Sequence, residues 1–198
     1  MEYLPRIADK LLRERLEAFG AILVEGPKWT GKTTTAMQHA KSVIKMQDPD
    51  KADEYLETAA TMPSLLLKGE KPRLIDEWQD APKIWDAVRV AVDDSGGLPG
   101  QYILTGSNTV DKTKIRHTGT GRITRMKMYP MSLWESKDSS GNVSIRELFY
   151  NPSYDIDGAV SNLDIPELIR VACRGGWPVT LQMNEKACMM IAKAYVNS

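Results

Sequence analysis

The sequence predicts an α/β protein built on a mostly parallel sheet, and three observations predict it. Residues 26–33 spell G-x-x-x-x-G-K-T directly after an apolar run, Ala21-Ile22-Leu23-Val24. Short apolar runs and helical-period stretches then alternate as far as residue 128, the pattern of a parallel sheet whose crossovers are helices. One of those runs, Arg73-Leu74-Ile75-Asp76, ends in an acidic pair with Glu77. At 198 residues the chain is long enough for one such domain and an appendage.

The elements follow in order. Residues 7–19 read as an amphipathic helix, with Leu11, Leu12, Leu16 and Phe19 near helical spacing and charged residues between them. Gly20 ends it. Residues 21–24 are a buried strand, the glycine-rich loop follows, and residues 33–41 are helix material carrying Ala36, Met37 and Ala40. Strand, loop and helix stand in the order a phosphate-binding P-loop requires. Residues 42–46 make a second strand, closed by Asp48-Pro49-Asp50. Residues 52–60 read as a helix, and Pro63 starts another short one. The strand 73–76, a helix over 84–92, the loop Gly96-Gly97-Leu98-Pro99-Gly100 and a strand over 101–105 come next. Residues 121–128 alternate apolar and basic side chains, which predicts a half-exposed strand at one edge of the sheet. Beyond Tyr129-Pro130 the pattern weakens. Residues 138–142 are turn-like, 151–162 loop-like, and 166–173 and 185–196 helical. The expected division is a core over 1–135 and an irregular, helical segment over 136–198.

The P-loop assigns a nucleotide cradle to Gly26, Pro27, Lys28, Trp29, Thr30, Gly31, Lys32, Thr33 and Thr34. Its glycines let backbone N–H groups crowd around phosphate oxygens, Lys32 reaches the β/γ-phosphates, and the Thr33 hydroxyl ligates Mg²⁺. Trp29 is bulky for a position facing nucleotide, and packing over the outside of the loop suits it better. An acid at the end of a neighbouring strand is where P-loop proteins hold the metal, and an adjacent Glu can polarise water as a base. Asp76 and Glu77 fit those two roles. The polar end of Ile103-Leu104-Thr105-Gly106-Ser107-Asn108 can orient the attacking water; Ser107 and Asn108 are both candidates, and the residues alone do not choose between them. Arg116, Arg122 and Arg125 are candidates for stabilising transition-state charge, with Arg122, next to Gly121 at the start of the last strand, the first choice. Trp78, Trp85, Trp134 and Trp177 are read as packing anchors.

Composition narrows the classes. Hydrophobic residues make up 42% and charged residues 26%, so a packed core is expected. The 26 basic and 26 acidic residues cancel, which gives no global support to nucleic-acid binding. Two cysteines without metal-type spacing, Cys173 and Cys188, point to a reduced, cytoplasmic protein. No stretch approaches the ~18 apolar residues of a membrane span, and the first residues do not form a signal peptide.

With these parts in place the chain resembles the prokaryotic AAA-type ATPases whose P-loop domain is followed by a conserved C-terminal domain of uncharacterised role. The likeness is carried by Tyr3-Leu4-Pro5-Arg6-Ile7, Phe19-Gly20-Ala21, Glu25-Gly26-Pro27-Lys28, Leu74-Ile75-Asp76-Glu77-Trp78-Gln79-Asp80-Ala81-Pro82 and Leu104-Thr105-Gly106-Ser107. It continues through residues 121–135 to Gly175-Gly176-Trp177-Pro178. The resemblance implies the additional-strand, AAA-like P-loop NTPase fold: three layers, α/β/α, around a five-stranded sheet of order 5-1-4-3-2. It implies ATP and Mg²⁺ as ligands, with Thr33 and Asp76 on the metal, Glu77 as base and Lys32 on phosphate. Members usually continue beyond such a point, so the expectation is a truncated second domain, with nucleic-acid contact through its missing part. A homo-oligomer is expected if Arg122 acts in trans.

Three functions fit the residues. The first is an ATPase acting as a nucleotide-driven switch or sensor. The second is an ATP-dependent nucleic-acid-binding module using the basic residues Lys112, Lys114, Arg116, Arg122, Arg125 and Lys127. The third is a P-loop small-molecule kinase, for which residues 121–125 make a thin lid.

Overall fold

The computed structural model describes residues 2–106 and 118–197. They fall into two compact units, Tyr3–Tyr129 and Pro130–Ser198. The sequence reading puts the division six residues later, inside the second unit.

In the first unit the elements are α1 (Ile7–Ala18), β1 (Ala21–Glu25), α2 (Lys32–Met37), β2 (Ser42–Lys45), α3 (Ala52–Thr61), β3 (Arg73–Asp76), α4 (Lys83–Asp94), β4 (Tyr102–Gly106) and β5 (Ile123–Lys127). A short 3-10 helix, Pro63–Leu67, stands where Pro63 predicts a short helix. The strands form one five-stranded sheet of order β2-β3-β4-β1-β5, the expected order read from its other edge, and every pairing is parallel. The alternating basic strand is β5, at an edge as its pattern requires.

Period-two alternation sorts the strand residues onto two faces. Ala21, Leu23, Ile75, Tyr102 and Leu104 pack with Ala59 of α3 and with Ile84, Trp85, Val88 and Val92 of α4. Ile22, Val24, Leu74 and Ile103 pack with Leu12 of α1 and Ala36 of α2. Both faces of the central strands are therefore covered, and β1 and β4 bury nearly every residue. Because all the strands run the same way, their carboxyl ends share one edge of the sheet. Open α/β sheets bind ligands at that edge.

The second unit holds α5 (Ile145–Tyr150), α6 (Ile165–Arg174) and α7 (Glu185–Val196). The sequence reading leaves 145–150 without an element. Its signal is Ser144 three residues before Glu147: the Ser144 hydroxyl accepts the Glu147 N–H and caps the helix. The Met131 N–H donates to the Gly176 carbonyl at 2.7 Å, and a Cβ on Gly176 would strike the Met131 carbonyl. That close approach joins the Pro-Met-Ser-Leu stretch to the Gly-Gly-Trp-Pro stretch within this unit. Trp177 packs on Tyr195, with ring centroids 4.7 Å apart. Of the other predicted anchors, Trp78 and Trp85 are fully buried and 5.0 Å apart, whereas Trp134 is 60% exposed, its ring lying over Gly141. Trp134 is thus a surface cover and not a core anchor.

Candidate nucleotide site

β1 delivers the chain to the loop at Gly26, which lies against β5: a Cβ at Gly26 would overlap the Met128 carbonyl, and the Met128 N–H donates to Glu25 at 2.8 Å. Pro27, Lys28 and Trp29 bulge outward and are exposed, Trp29 with a positive φ of 65°. Trp29 is 49% exposed, on the outside of the loop. The chain returns inward at Thr30, whose buried hydroxyl donates to the Pro27 carbonyl at 3.0 Å. Gly31 then takes the left-handed conformation (φ 91°, ψ 21°) and opens α2. A left-handed residue before a right-handed one turns successive N–H groups into one concavity, which suits an anion. Thr34, on the first turn of α2, is exposed.

Lys32 is almost fully buried and its ammonium donates to the Gly26 and Pro27 carbonyls at 3.0 and 2.9 Å. Burial pushes its pKa down from 10.5, and the Glu77 and Asp76 carboxylates pull it part of the way back. Two of the three ammonium hydrogens go to the loop itself.

Beside the loop, the Thr33 hydroxyl donates to Asp76 Oδ1 at 2.6 Å and the Thr105 hydroxyl donates to the same oxygen at 2.5 Å. Thr105 faces Asp76 across the β3–β4 pairing, which sets this contact from the register alone. Sequence reasoning looks past Thr105 to the residues after it. A hydroxyl and a carboxylate oxygen side by side fit a hard divalent cation such as Mg²⁺, which takes one or two protein oxygens and keeps its waters. Among the described residues no group of three or more His, Cys, Asp or Glu could hold a metal unaided.

Glu77 follows β3 in left-handed backbone (φ 55°, ψ 45°), a conformation that costs a non-glycine residue about 1 kcal/mol and turns its side chain out of line with the strand. Its Oε2 accepts the Gln79 amide N–H. Gln79 Oε1 is buried and, among the described residues, lacks a hydrogen-bond partner; it lies where a Cβ on Gly106 would go. The sequence sets Gln79 in the stretch 74–82 that carries the family likeness but gives it no role of its own.

The fold thus brings the loop, Lys32, Thr33, Asp76, Glu77 and Thr105 to one edge of the sheet. Arg122 is elsewhere. It precedes Ile123, which pairs with Ala21 at the amino end of β1, about 15 Å or more from the loop at ~3.3 Å per residue. Its guanidinium donates to Asp93 at 2.7 Å. Arg125 is also engaged, with Glu25 at 3.2 Å and over the Trp85 ring at 5.2 Å. Ser107, Asn108, Arg116, Lys112 and Lys114 lie outside the described residues.

A family model described as AAA domain matches residues 18–137. No curated protein matches the chain. No helix among the described residues is long and apolar enough to cross a membrane. The matched span covers well over half of the chain and takes in the loop, the acidic end of β3 and the polar end of β4. The chain belongs to the AAA-domain family of ATPases.

Proposed function

We propose that this protein binds ATP at the loop over residues 26–34, hydrolyses it, and uses the change of nucleotide state as a switch or sensor. One observation carries the reading: the hydroxyls of Thr33 and Thr105 meet on one oxygen of Asp76 beside Lys32, although the three residues come from α2, β4 and β3. A plain glycine-rich turn would not need a shared acidic centre. Gly26, Gly31 and the first N–H groups of α2 form the phosphate cradle, and the remaining ammonium hydrogen of Lys32 is the one a phosphate oxygen would take. Thr33 and Asp76 would hold Mg²⁺, which when bound neutralises charge on the phosphates. Glu77 is the base: it stands one residue beyond the metal holder and can take a proton from an attacking water. The Gln79 amide holds that carboxylate. The two free cysteines support a reducing, cytoplasmic setting.

Phosphate release from ATP and Mg²⁺ tests the reading. Glu77→Gln should keep nucleotide affinity while turnover falls by at least about a hundredfold, the usual weight of a positioned base. Lys32→Ala should lose the binding itself. Hydrolysis at the wild-type rate in Glu77→Gln would remove the base assignment, and phosphate passed to a small acceptor instead of water would replace the switch with a kinase.

A further inference from the structure

The Arg6 side chain is 7% exposed, although it sits at the amino end of α1. One arm of its guanidinium donates to the Thr30 carbonyl at 2.7 Å and the other to the Tyr129 carbonyl at 2.9 Å. Its backbone is fixed as well: the Arg6 N–H donates to Asp9 at 2.6 Å. Asp9 in turn accepts the Tyr3 hydroxyl at 2.8 Å and meets His39 at 2.9 Å, and Tyr3 reaches Thr35 of α2 at 3.1 Å. The amino-terminal segment is therefore braced against the loop and the helix that follows it.

A peptide unit is planar, with its C=O and its N–H pointing in opposite directions. The carbonyl of Thr30 and the N–H of Gly31 belong to one such unit. Holding the carbonyl outward on Arg6 aims the Gly31 N–H inward, into the concavity of the loop. Gly31 alone would not hold that orientation, because glycine lets the preceding peptide turn over at little cost. A planar fork bridging two carbonyls also fixes the guanidinium, which a flexible ammonium cannot do.

We propose that Arg6 is a positioning residue that sets the phosphate cradle before any ligand arrives. The proposal rests on the nucleotide reading above. It predicts that Arg6 contributes to phosphate affinity without touching the nucleotide, and that its loss falls on KM rather than kcat, since the cradle serves substrate and transition state alike.

The test is equilibrium binding of ATP and of pyrophosphate, with Mg²⁺, to the wild-type chain, Arg6→Gln and Arg6→Lys. Arg6→Gln should weaken both ligands by about tenfold, the scale of one charge-assisted hydrogen bond. Arg6→Lys, which keeps the charge but not the fork, should fall between, and it decides the matter where Arg6→Gln does not fold. Affinities within about twofold of wild type in the folded variants would overturn the proposal. So would a loss seen with ATP but not with pyrophosphate, because the cradle contacts phosphate only. A wild-type chain that binds neither ligand would instead overturn the nucleotide reading itself, and this proposal with it.

Discussion

Lys32 carries its charge into a nearly closed site, and the energetic consequence has a definite sign. Burial lowers its pKa from 10.5, so at alkaline pH the folded chain binds fewer protons here than the unfolded chain does. The cost of burying the ammonium is full at neutral pH and is relieved as pH rises from the depressed value towards 10.5, so this residue's contribution to the ligand-free fold improves over that window. Nucleotide does the reverse, since phosphate charge favours the protonated amine. ATP affinity should therefore fall through the same window, with proton uptake on binding. Titration calorimetry in two buffers of different ionisation enthalpy reads that uptake directly; heats that do not depend on buffer would count against it. At this scale the sequence was informative wherever chemistry is local. The loop and the acidic pair could be read from residue type and spacing. The parts played by Arg6 and Thr105 could not, because their partners lie in distant segments brought in by chain reversal or by register, and that of Gln79 could not, because it depends on the left-handed backbone of Glu77.

In α6, both ends follow local rules. Asp164 accepts the Glu167 N–H at 2.8 Å to open the helix, and Gly175, at a φ of 73°, closes it with its N–H on the Val171 carbonyl; Arg174, in the last turn, pairs with the more distant Asp138. The Arg174 guanidinium, helped by the Ser136 hydroxyl and the charge of Arg170, holds the Asp138 carboxyl below its ordinary 3.8 against the opposing effect of burial. A depressed carboxylate contributes stability above its unfolded value and loses it as pH falls through its folded one. Arg174→Gln should cost about 1 to 2 kcal/mol at neutral pH and raise the pH at which the second unit unfolds in acid. Circular dichroism over an acid titration measures this, and an unmoved acid limb would show the pair to be idle. Elements with strong periodicity or caps, such as α4 and α7, were legible within a residue or two. The short α5 was hidden because six residues span under two turns, too few for a period to show; only its serine cap announces it.

Across the whole molecule, parallel strands make position along a strand equivalent to distance from the site. Arg122 reads well as a charge-stabilising residue in one dimension, following a glycine at the start of a strand. The fold puts that start at the edge far from the loop. Arg122→Ala should accordingly leave the turnover of a dilute, monomeric chain unchanged, and a tenfold loss there would contradict this placement. A role towards a second copy would appear only as specific activity that climbs with protein concentration and is absent from the variant. The alternating basic residues of β5 gain a different meaning from their place at the margin of the sheet. A sheet ending in open N–H and C=O groups invites another chain to dock alongside and continue it. Arg125 and Lys127 on β5, and Lys45 on the four-residue β2 at the opposite margin, are exposed charges that a docking strand would have to crowd. Arg125 and Lys127, two of the basic residues that the sequence offers to nucleic acid, thus also stand as charges against the extension of this margin by another strand.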